Sequence, residues 1–571
     1  MRKSIILALA AAALTLTSCD DFLDRDPRDT FTEGKSFWSN ENAVESYTNR
    51  FYTNFVGYSQ GGGYGWFYFK SLGDDQATST LDDWTYKTIP NTASNYNDWF
   101  TEARRANYVI QNVPSSSLKE ASKTKYVAIA RLARAWDYYM LVRMYGDVEW
   151  IDYVITDPED EKIWGERDNR DVVMDKVLED LDYAIENLGA SSDKTLWSKN
   201  MALAMKSDIC LYEGTFRKYC TKAENGIAPD TTARSKKYLE ESVKASQALM
   251  DGTYTLSAKY GDIYNALGLN GNKEIIFFRN YEKDVVMHGL VDYTCGSTEQ
   301  RGITRDAFDA FLFKDGKPLA NTGLDKSDLA VKNADGDYSI KKALDNRDPR
   351  LSVLVDSIVC FKGHGWKRPA PAAAGGANMT SSTGYTIFKF DNQTLESYYR
   401  TNTNTGYTDA PLYWYSVILL NYAEAKAELG TITQDELDKS VNLIQKRAFG
   451  NDNAKITLTP AADPANNHGV SNLIWEIRRA RRCELMLDNW YRYWDLIRWH
   501  QLDKIDTEAN PAVNQGAHVG NVTDGPTITS DGYIQATNAV RKFNKKYYLY
   551  PIPTQQITLN PAIKQNFGWT E

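Results

Sequence analysis

The strongest structural signal in the sequence is a helical pattern over residues 117–147. Side chains recur there at steps of three or four residues on one mostly apolar stripe, which runs from Tyr126 through Trp136 to Arg143. This spacing places them on one face of an α-helix. Gly146 ends the pattern, and glycine commonly ends helices. The segment therefore predicts one long helix with a mostly apolar face.

Several other segments have the same helical pattern, on both sides of a loop-rich middle. They cover residues 40–55, 97–113, 170–188, 199–219, 235–250, 413–429, 434–448 and 471–487. Short polar links between them favour helical hairpins. Small and large side chains alternate over 130–146 as in tetratricopeptide repeats, although no clean period of about 34 residues is visible. We predict a mainly α fold, a tetratricopeptide-like superhelix of helical hairpins with long irregular loops. A few short strands are expected, at 274–280 and 385–390.

The N-terminus is typical of an exported lipoprotein. Arg2 and Lys3 precede a mostly apolar run over 5–17, which is too short to span a bilayer and fits a secretory signal. Leu-Thr-Ser-Cys, ending at Cys19, resembles the bacterial lipobox. This predicts a signal peptide over 1–18 and acylation of Cys19, while the simpler alternative is a signal peptide that ends near a cysteine by chance. No later run approaches about 18 apolar residues, so the acyl chains would be the membrane attachment.

The composition excludes some classes of function and points to another. The formal net charge of −9 argues against a general nucleic-acid binder, because an acidic surface repels phosphate backbones. The chain contains 36 tyrosines and 15 tryptophans. Their polar ring atoms need hydrogen-bond partners, so many of them are expected at surfaces or binding sites rather than in a core.

Motifs for catalysis, metals and cofactors are weak. Residues 57–61 match G-x-S-x-G, but a helix precedes Ser59 and glycines follow it, which does not fit a nucleophile elbow. The five histidines are dispersed, and no phosphate-binding glycine motif occurs. Cys210 and Cys220 lie on one predicted helix, about 15 Å apart, too far for a disulfide. We expect no enzyme activity, no metal and no cofactor. A surface hydrolase remains a less favoured alternative, since glycosidase carboxylate pairs cannot be recognised from sequence.

An aromatic loop region offers the chemistry for sugar binding. Flat aromatic rings stack on the C–H faces of sugars, and neighbouring amides and carboxylates bind the hydroxyl groups. The ligand-binding candidates are Trp66, Asp74, Asp75, Trp84, Tyr86, Asn95, Tyr96 and Trp366. Trp84 and Tyr86 are favoured for their polar flanks. The alternative is that several of these aromatics pack the loop onto the helices.

A cluster of arginines and carboxylates lies between residues 471 and 499. Its members are Arg478, Arg481, Arg482, Glu484, Arg492 and Asp495. Glu484 falls on the apolar stripe of the helix, where an unpaired carboxylate would be costly. We expect it to pair with Arg481, or with Arg492 or Arg498, and we expect Asp495 to pair with other arginines. The cluster is therefore predicted to be structural.

Five motifs in order along the chain resemble one family. They are DDFLDRDP at 20–27, RLARAWDYYMLVRMYGDV at 131–148, LLNYAEAKAELG at 419–430, the segment 474–499, and YLYPIP at 548–553. Together they are similar to the motifs of the SusD/RagB family of Bacteroidetes outer-membrane lipoproteins. The acidic residues after Cys19 also resemble the surface-export signal of such lipoproteins. The chain departs from the family at Ala480, at the turn that reads Leu-Asp-Asn over 487–489, and at Trp414 and Val417.

The resemblance implies an architecture and a role. A lipidated tether would cover 19–35 and a single SusD-like domain 36–571, with the helical scaffold at about 36–255 and 413–500. Ligand-facing loops would cover about 57–96, 256–412 and 503–571. The protein would be lipid-anchored in the outer membrane, facing the cell exterior, and would deliver oligosaccharides to a SusC-like TonB-dependent transporter without catalysis. A peptide ligand is the alternative within the family. Family ligand sites lie on variable loops, so no binding residue is carried over.

Overall fold

The computed structural model describes residues 34–59, 65–68, 72–220, 232–290, 299–365, 379–523 and 525–569. The signal peptide, Cys19, the 20–27 motif and Trp366 lie outside these residues. The described helices are α1 Lys35–Trp38, α2 Glu41–Asn49, α3 Ser94–Asn112, α4 Glu120–Tyr145, α5 Glu161–Trp164, α6 Arg170–Asn187, α7 Lys199–Tyr219, α8 Thr232–Leu249, α9 Arg305–Ala310, α10 Lys341–Leu344, α11 Pro349–Leu354, α12 Ser397–Thr401, α13 Tyr415–Glu428, α14 Gln434–Asp438, α15 Val441–Phe449, α16 Asn472–Glu484, α17 Tyr491–Arg498 and α18 Thr554–Leu559. The strands are β1 Ile275–Arg279, β2 Val331–Lys332, β3 Tyr338–Ser339, β4 Ala410–Trp414, β5 Gln515–His518 and β6 Tyr533–Gln535.

Neighbouring helices in the chain pack against one another as hairpins. Helix α4 packs between α3 and α6, and α7 packs against α8. Helix α13, from the second half of the chain, packs on α7 and α8 and also on α16. Helices α4, α7 and α13 are buried over most of their length. The predicted mainly helical, tetratricopeptide-like fold is confirmed.

The helix boundaries follow from their caps where local sequence sets them. The side chain of Asn40 accepts a hydrogen bond from the backbone N–H of Ala43, and α2 begins directly after this cap, at Glu41. The side chain of Ser198 accepts one from the N–H of Met201, and α7 covers the predicted residues 199–219. None of the described helices combines the length and the apolar character needed to cross a membrane.

The structure corrects three predicted elements. Strand β1 forms as predicted at 274–280, but its partner β4 occupies the start of the helix predicted at 413–429, because the antiparallel pairing extends to Trp414. The strand predicted at 385–390 is wrong, since Ile387 makes only an isolated bridge to Val355. The helix predicted at 434–448 is two helices, α14 and α15, interrupted at residues 439–440.

Buried ion pairs join α16 and α17 to the rest of the fold. Asp495 accepts hydrogen bonds from Arg481 and Arg498, both at 2.8 Å, as predicted. The partners predicted for Glu484 are wrong. It pairs with Arg350, at 3.1 Å, and with Arg447. The reason is that α11 and α15 place these two guanidinium groups beside α16, which a local reading of the sequence cannot show.

The turn between α16 and α17 has an unusual backbone. Leu487, Asn489 and Trp490 have φ angles of 68°, 44° and 54°. Side chains other than glycine rarely adopt this left-handed region, at a cost of roughly 1–2 kcal/mol per residue. The buried ammonium group of Lys389 donates hydrogen bonds to the carbonyl of Met486 at 2.8 Å and to Asp488 at 2.7 Å. The surrounding structure therefore holds the turn in its strained form.

Candidate functional site

A cavity of about 820 Å³ lies between helices α3, α4, α7 and α17. Sites for small molecules typically measure about 300–1,000 Å³, so its size suits a ligand rather than a packing defect. The strained turn at 487–490 contributes Asn489 and Trp490 to its wall. The loop residue Trp66 and, from the C-terminal segment, Tyr550 complete it. The cavity thus forms where the helical scaffold meets segments that are distant in sequence.

Aromatic rings form much of the cavity wall. They are Phe55, Trp66, Trp99, Trp136, Tyr139, Tyr212, Tyr413, Trp490, Tyr491, Trp494 and Tyr550. The rings of Trp66 and Trp136 lie 5.9 Å apart at an angle of 31°. Trp66 and Trp99 are only half-buried, and their rings can offer a face to a ligand. Flat, partly accessible rings of this kind can stack on the apolar faces of sugars.

One end of the cavity carries polar side chains near the surface. Asn95 accepts hydrogen bonds through its side-chain oxygen from Tyr145, at 2.6 Å, and from Tyr86, at 3.1 Å. Among the residues that the structure describes, its amide nitrogen donates only to the sulfur of Met144, at 3.7 Å, and sulfur is a weak acceptor. The exposed carboxylate of Asp98 lines the same end. This end can therefore donate to and accept from hydroxyl groups.

Another part of the cavity wall is charged. Asp208, on α7, lines it together with Arg143, Arg481, Asp495 and Arg498. Burial raises the pKa of Asp208, while Arg481 and the other guanidinium groups act in the opposite direction. Within the described part of the chain, the Asp208 carboxylate forms no hydrogen bond. The guanidinium group of Arg143 lies over the Trp494 ring, 4.1 Å from its centroid. A carboxylate without a hydrogen-bond donor, held inside a cavity, is a ready acceptor for a ligand hydroxyl or ammonium group.

The structure places the predicted ligand-binding residues in different surroundings. Trp66 and Asn95 line the cavity, and Tyr86 orients Asn95. Tyr96 is buried, donates to Glu149 at 3.2 Å, and lines a separate surface groove of about 410 Å³. Trp84 is 7% exposed and stacks on another aromatic ring at 4.0 Å. The cavity therefore contains two of the predicted residues.

The two predicted aspartates lie in the buried ion-pair system. Asp74 is fully buried and accepts hydrogen bonds from Arg492 at 2.6 and 2.9 Å. Asp75 accepts one from Arg482 at 2.8 Å. Burial raises the pKa of Asp74, but Arg482 and Arg492 outweigh it and hold that pKa well below its ordinary value. This placement favours a structural role for both carboxylates.

Several cavity residues were not selected from the sequence, among them Asp98, Trp99, Arg143 and Asp208. Asp98 and Trp99 lie at the end of the aromatic loop region, in the first turns of α3. Arg143 did give a signal, since it falls on the mostly apolar stripe of α4. Asp208 gave none, because α7 meets the other walls only in the folded chain. Among the described residues, no cluster of His, Cys, Asp and Glu could hold a metal ion.

Comparisons with known proteins agree with this architecture. A family model described as "SusD family" matches residues 273–569, and one described as "Starch-binding associating with outer membrane" matches 21–211. A "SusD-like protein" of Bacteroides ovatus is 28% identical over 225 residues, 35% of this chain and 38% of that protein. A "SusD-like protein P2" of Formosa agariphila is 30% identical over 199 residues, 34% of this chain and 35% of that protein. The chain thus spans little more than a third of either curated relative in these matches.

Solved structures match over a greater length. A SusD-like carbohydrate-binding protein from Bacteroides fragilis is similar with a TM-score of 0.68 and 20% identity, over 93% of this chain and 100% of that one. A surface glycan-binding protein A from Bacteroides fluxus gives a TM-score of 0.58 and 17% identity, over 93% of this chain and 100% of that one. At these identities the likeness establishes the fold.

Proposed function

The chain belongs to the SusD family, and from this premise we propose that it captures oligosaccharides at the cell surface and delivers them to a partner TonB-dependent outer-membrane transporter. Proteins of the SusD family are non-catalytic binding proteins. The observation that carries the proposal is the cavity of about 820 Å³, with its partly exposed rings of Trp66 and Trp99, the Asn95 amide that bonds only a weak sulfur acceptor, and the Asp208 carboxylate that lacks a donor among the described residues. An aromatic face with hydrogen-bonding groups beside it suits a sugar ring.

The proposed location rests on the N-terminal sequence and on the family. Cys19 follows a lipobox-like stretch, and the family model that covers residues 21–211 is described as associating with the outer membrane. We propose that Cys19 is acylated, that the chain faces the cell exterior, and that residues 36–571 act as one domain. Labelled palmitate should be incorporated into the protein in cells, and Cys19→Ala should abolish the labelling. Labelling that survives this change would contradict the anchor.

The ligand class is tested by calorimetric titration of neutral oligosaccharides and of basic and acidic peptides. We expect oligosaccharides to bind without release of reducing sugar. Trp66→Ala should weaken binding about two- to twelvefold, because an aromatic stacking contact contributes about 0.5–1.5 kcal/mol. Trp164→Ala is the matched control, since Trp164 is 48% exposed and does not line the cavity. Binding confined to basic peptides would favour the peptide alternative, and release of reducing sugar would favour a hydrolase.

The transporter partner is tested separately. When the protein is isolated from detergent-solubilised outer membranes of its own cells, a TonB-dependent transporter should co-purify with it. If the protein is recovered alone under mild detergent, delivery to such a partner loses its support, whereas the ligand proposal still stands on the calorimetry.

A further inference from the structure

A second cavity of about 440 Å³ lies on the other side of α16 and α17. Arg481 and Trp494 face the cavity described above, whereas Arg478, Arg482 and Arg492 line this one. The two cavities have no lining residue in common. The second cavity is therefore a separate compartment, bounded by α9, α16 and the segments at 318–320, 463–467 and 499–510.

Every charged side chain that lines this cavity has an ion-pair partner among the described residues, with one exception. The arginines are paired: Arg478 with Glu428 at 3.0 Å, Arg479 with Asp463, Arg482 with Asp75 at 2.8 Å, and Arg492 with Asp74 at 2.6 Å. The lining carboxylates are also paired: Asp306 with Arg482 at 2.7 Å, Asp309 with Arg347 at 3.3 Å, and Asp463 with Arg479.

Lys504 is the exception. Its ammonium group forms no ion pair and no hydrogen bond with any residue that the structure describes. Burial lowers the pKa of Lys504, and Arg492 and Arg482 act in the same direction, whereas the more distant carboxylates of Asp306 and Asp74 oppose the shift without cancelling it. A mostly buried cation without a carboxylate in contact lowers stability, and such exceptions are commonest at functional sites.

Hydrogen-bond donors lie in the same compartment. Arg482 bonds through Nε and Nη2, to Asp75 and to the carbonyl of Asp74. Arg492 bonds through Nε and Nη2 to the two oxygens of Asp74. Within the described chain, the Nη1 groups of both arginines donate no hydrogen bond. Together with the Lys504 ammonium group they are suited to an oxyanion.

The rest of the wall combines apolar side chains with the amides of Asn467, Gln501 and Asn510, and it includes an accessible ring. Trp475 is half-buried, and its indole N–H donates to Asp463 at 3.1 Å, which fixes the plane of the ring. The Lys504 ammonium group lies 5.5 Å from the centroid of this ring. Pro318 and Leu319, both half-buried, form part of the apolar wall. A ring-shaped ligand that stacks on Trp475 would thus place a charged substituent within reach of the Lys504 ammonium group.

We propose that this cavity is a second ligand site, which takes a sugar unit bearing an oxyanion, either a uronate carboxylate or a sulfate ester. Lys504 supplies the counter-charge, the free donors of Arg482 and Arg492 add hydrogen bonds, and Trp475 supports the apolar face of the ring. The site is independent of the aromatic cavity and of the function proposed for it.

The test is calorimetric titration of the purified protein with D-glucuronate, D-glucose 6-sulfate, D-glucose and inorganic sulfate at low ionic strength, where charge interactions are least screened. We expect one or both anionic sugars to bind at least tenfold more tightly than glucose and than sulfate. The arm that binds identifies the carboxylate or the sulfate ester as the anion. Equal affinity for glucose, or sulfate alone matching the sugars, would overturn the proposal.

Variants separate the site from general surface charge. Lys504→Gln should weaken the anionic sugar at least tenfold, and Trp475→Leu should weaken it without a change of charge. Lys542→Gln is the matched control, because Lys542 is an exposed lysine paired with Glu508, and it should bind like the native protein. Trp66→Ala should leave this affinity unchanged, which separates the second site from the first. Native affinity in Lys504→Gln, or in the second variant Lys504→Met, would refute the assignment.

Discussion

Glu424 offers a direct test of how the buried ion pairs stabilise the fold. It is 1% exposed and accepts hydrogen bonds from Arg498 at 2.6 and 2.7 Å and from the indole N–H of Trp499 at 2.6 Å. Burial raises the pKa of Glu424, but the Arg498 guanidinium outweighs it, and the pKa falls from 4.5 to about 2. A difference of this size corresponds to about 3 kcal/mol of folding free energy at neutral pH.

The sign of the pH dependence follows from that lowered pKa. The folded state holds the charged carboxylate more strongly than the unfolded state, so the contribution is complete well above pH 4.5. It is lost as the pH falls towards 2, and about 2 kcal/mol should remain at pH 3.5. Glu424→Gln removes the charge at every pH. The variant should therefore be less stable than the native protein by about 3 kcal/mol at pH 7, and by less at pH 3.5.

The assay is urea unfolding of both proteins at pH 7 and pH 3.5, followed by circular dichroism. Asp435→Asn is the control, because Asp435 pairs with Lys439 at the surface, where both side chains are 70% exposed. Surface pairs contribute about 0–1 kcal/mol, so this variant should change little at either pH. An equal loss of stability for Glu424→Gln at both pH values would refute the reasoning, as would a loss below about 1 kcal/mol at pH 7.

Two further predictions concern packing. A β-carbon at Gly214 would lie 2.8 Å from the Leu239 side chain and 3.0 Å from its backbone nitrogen, so Gly214→Ala should lower the stability of the α7–α8 pair by about 1–3 kcal/mol in thermal unfolding. Gly189→Ala is the control, because a β-carbon there meets no atom within 4 Å; equal melting temperatures for the two variants would contradict the close packing. Trp84→Ala should cost about 3–5 kcal/mol, because Trp84 stacks on Tyr547 and its indole N–H donates to the Lys542 carbonyl at 2.8 Å. If the variant instead weakened oligosaccharide binding at an unchanged melting temperature, the sequence prediction that Trp84 binds a ligand would be right and the packing argument wrong.

The sequence predicted helices well where local interactions decide them. The bounds of α7 coincide with the prediction because the Ser198 cap and a continuous buried pattern set them. The start of α13 was missed because the preceding residues pair with β1, about 140 positions earlier in the chain. The partners of Glu484 were missed for the same kind of reason, since Arg350 lies 134 residues away in sequence. Long-range pairing, rather than propensity, separates what could be predicted from what could not.

The candidate site shows the same division. Trp66 and Asn95 could be selected because aromatic and amide side chains in a polar loop are visible in the sequence itself. Trp84 belongs to the same pattern, yet it packs on the C-terminal segment, and only the fold distinguishes the two outcomes. Asp208 lies within a regular helix with no motif around it, and its value to a ligand depends on α4, α16 and α17 forming the other walls.

The strained turn at 487–490 ties the cavity to a segment that is distant in sequence. Its backbone is held by Lys389, about 100 residues earlier, which bonds the Met486 carbonyl and Asp488. Because this turn is held, Asn489 and Trp490 stand in the cavity wall. A substitution at Lys389 would therefore alter the ligand site although Lys389 does not line it.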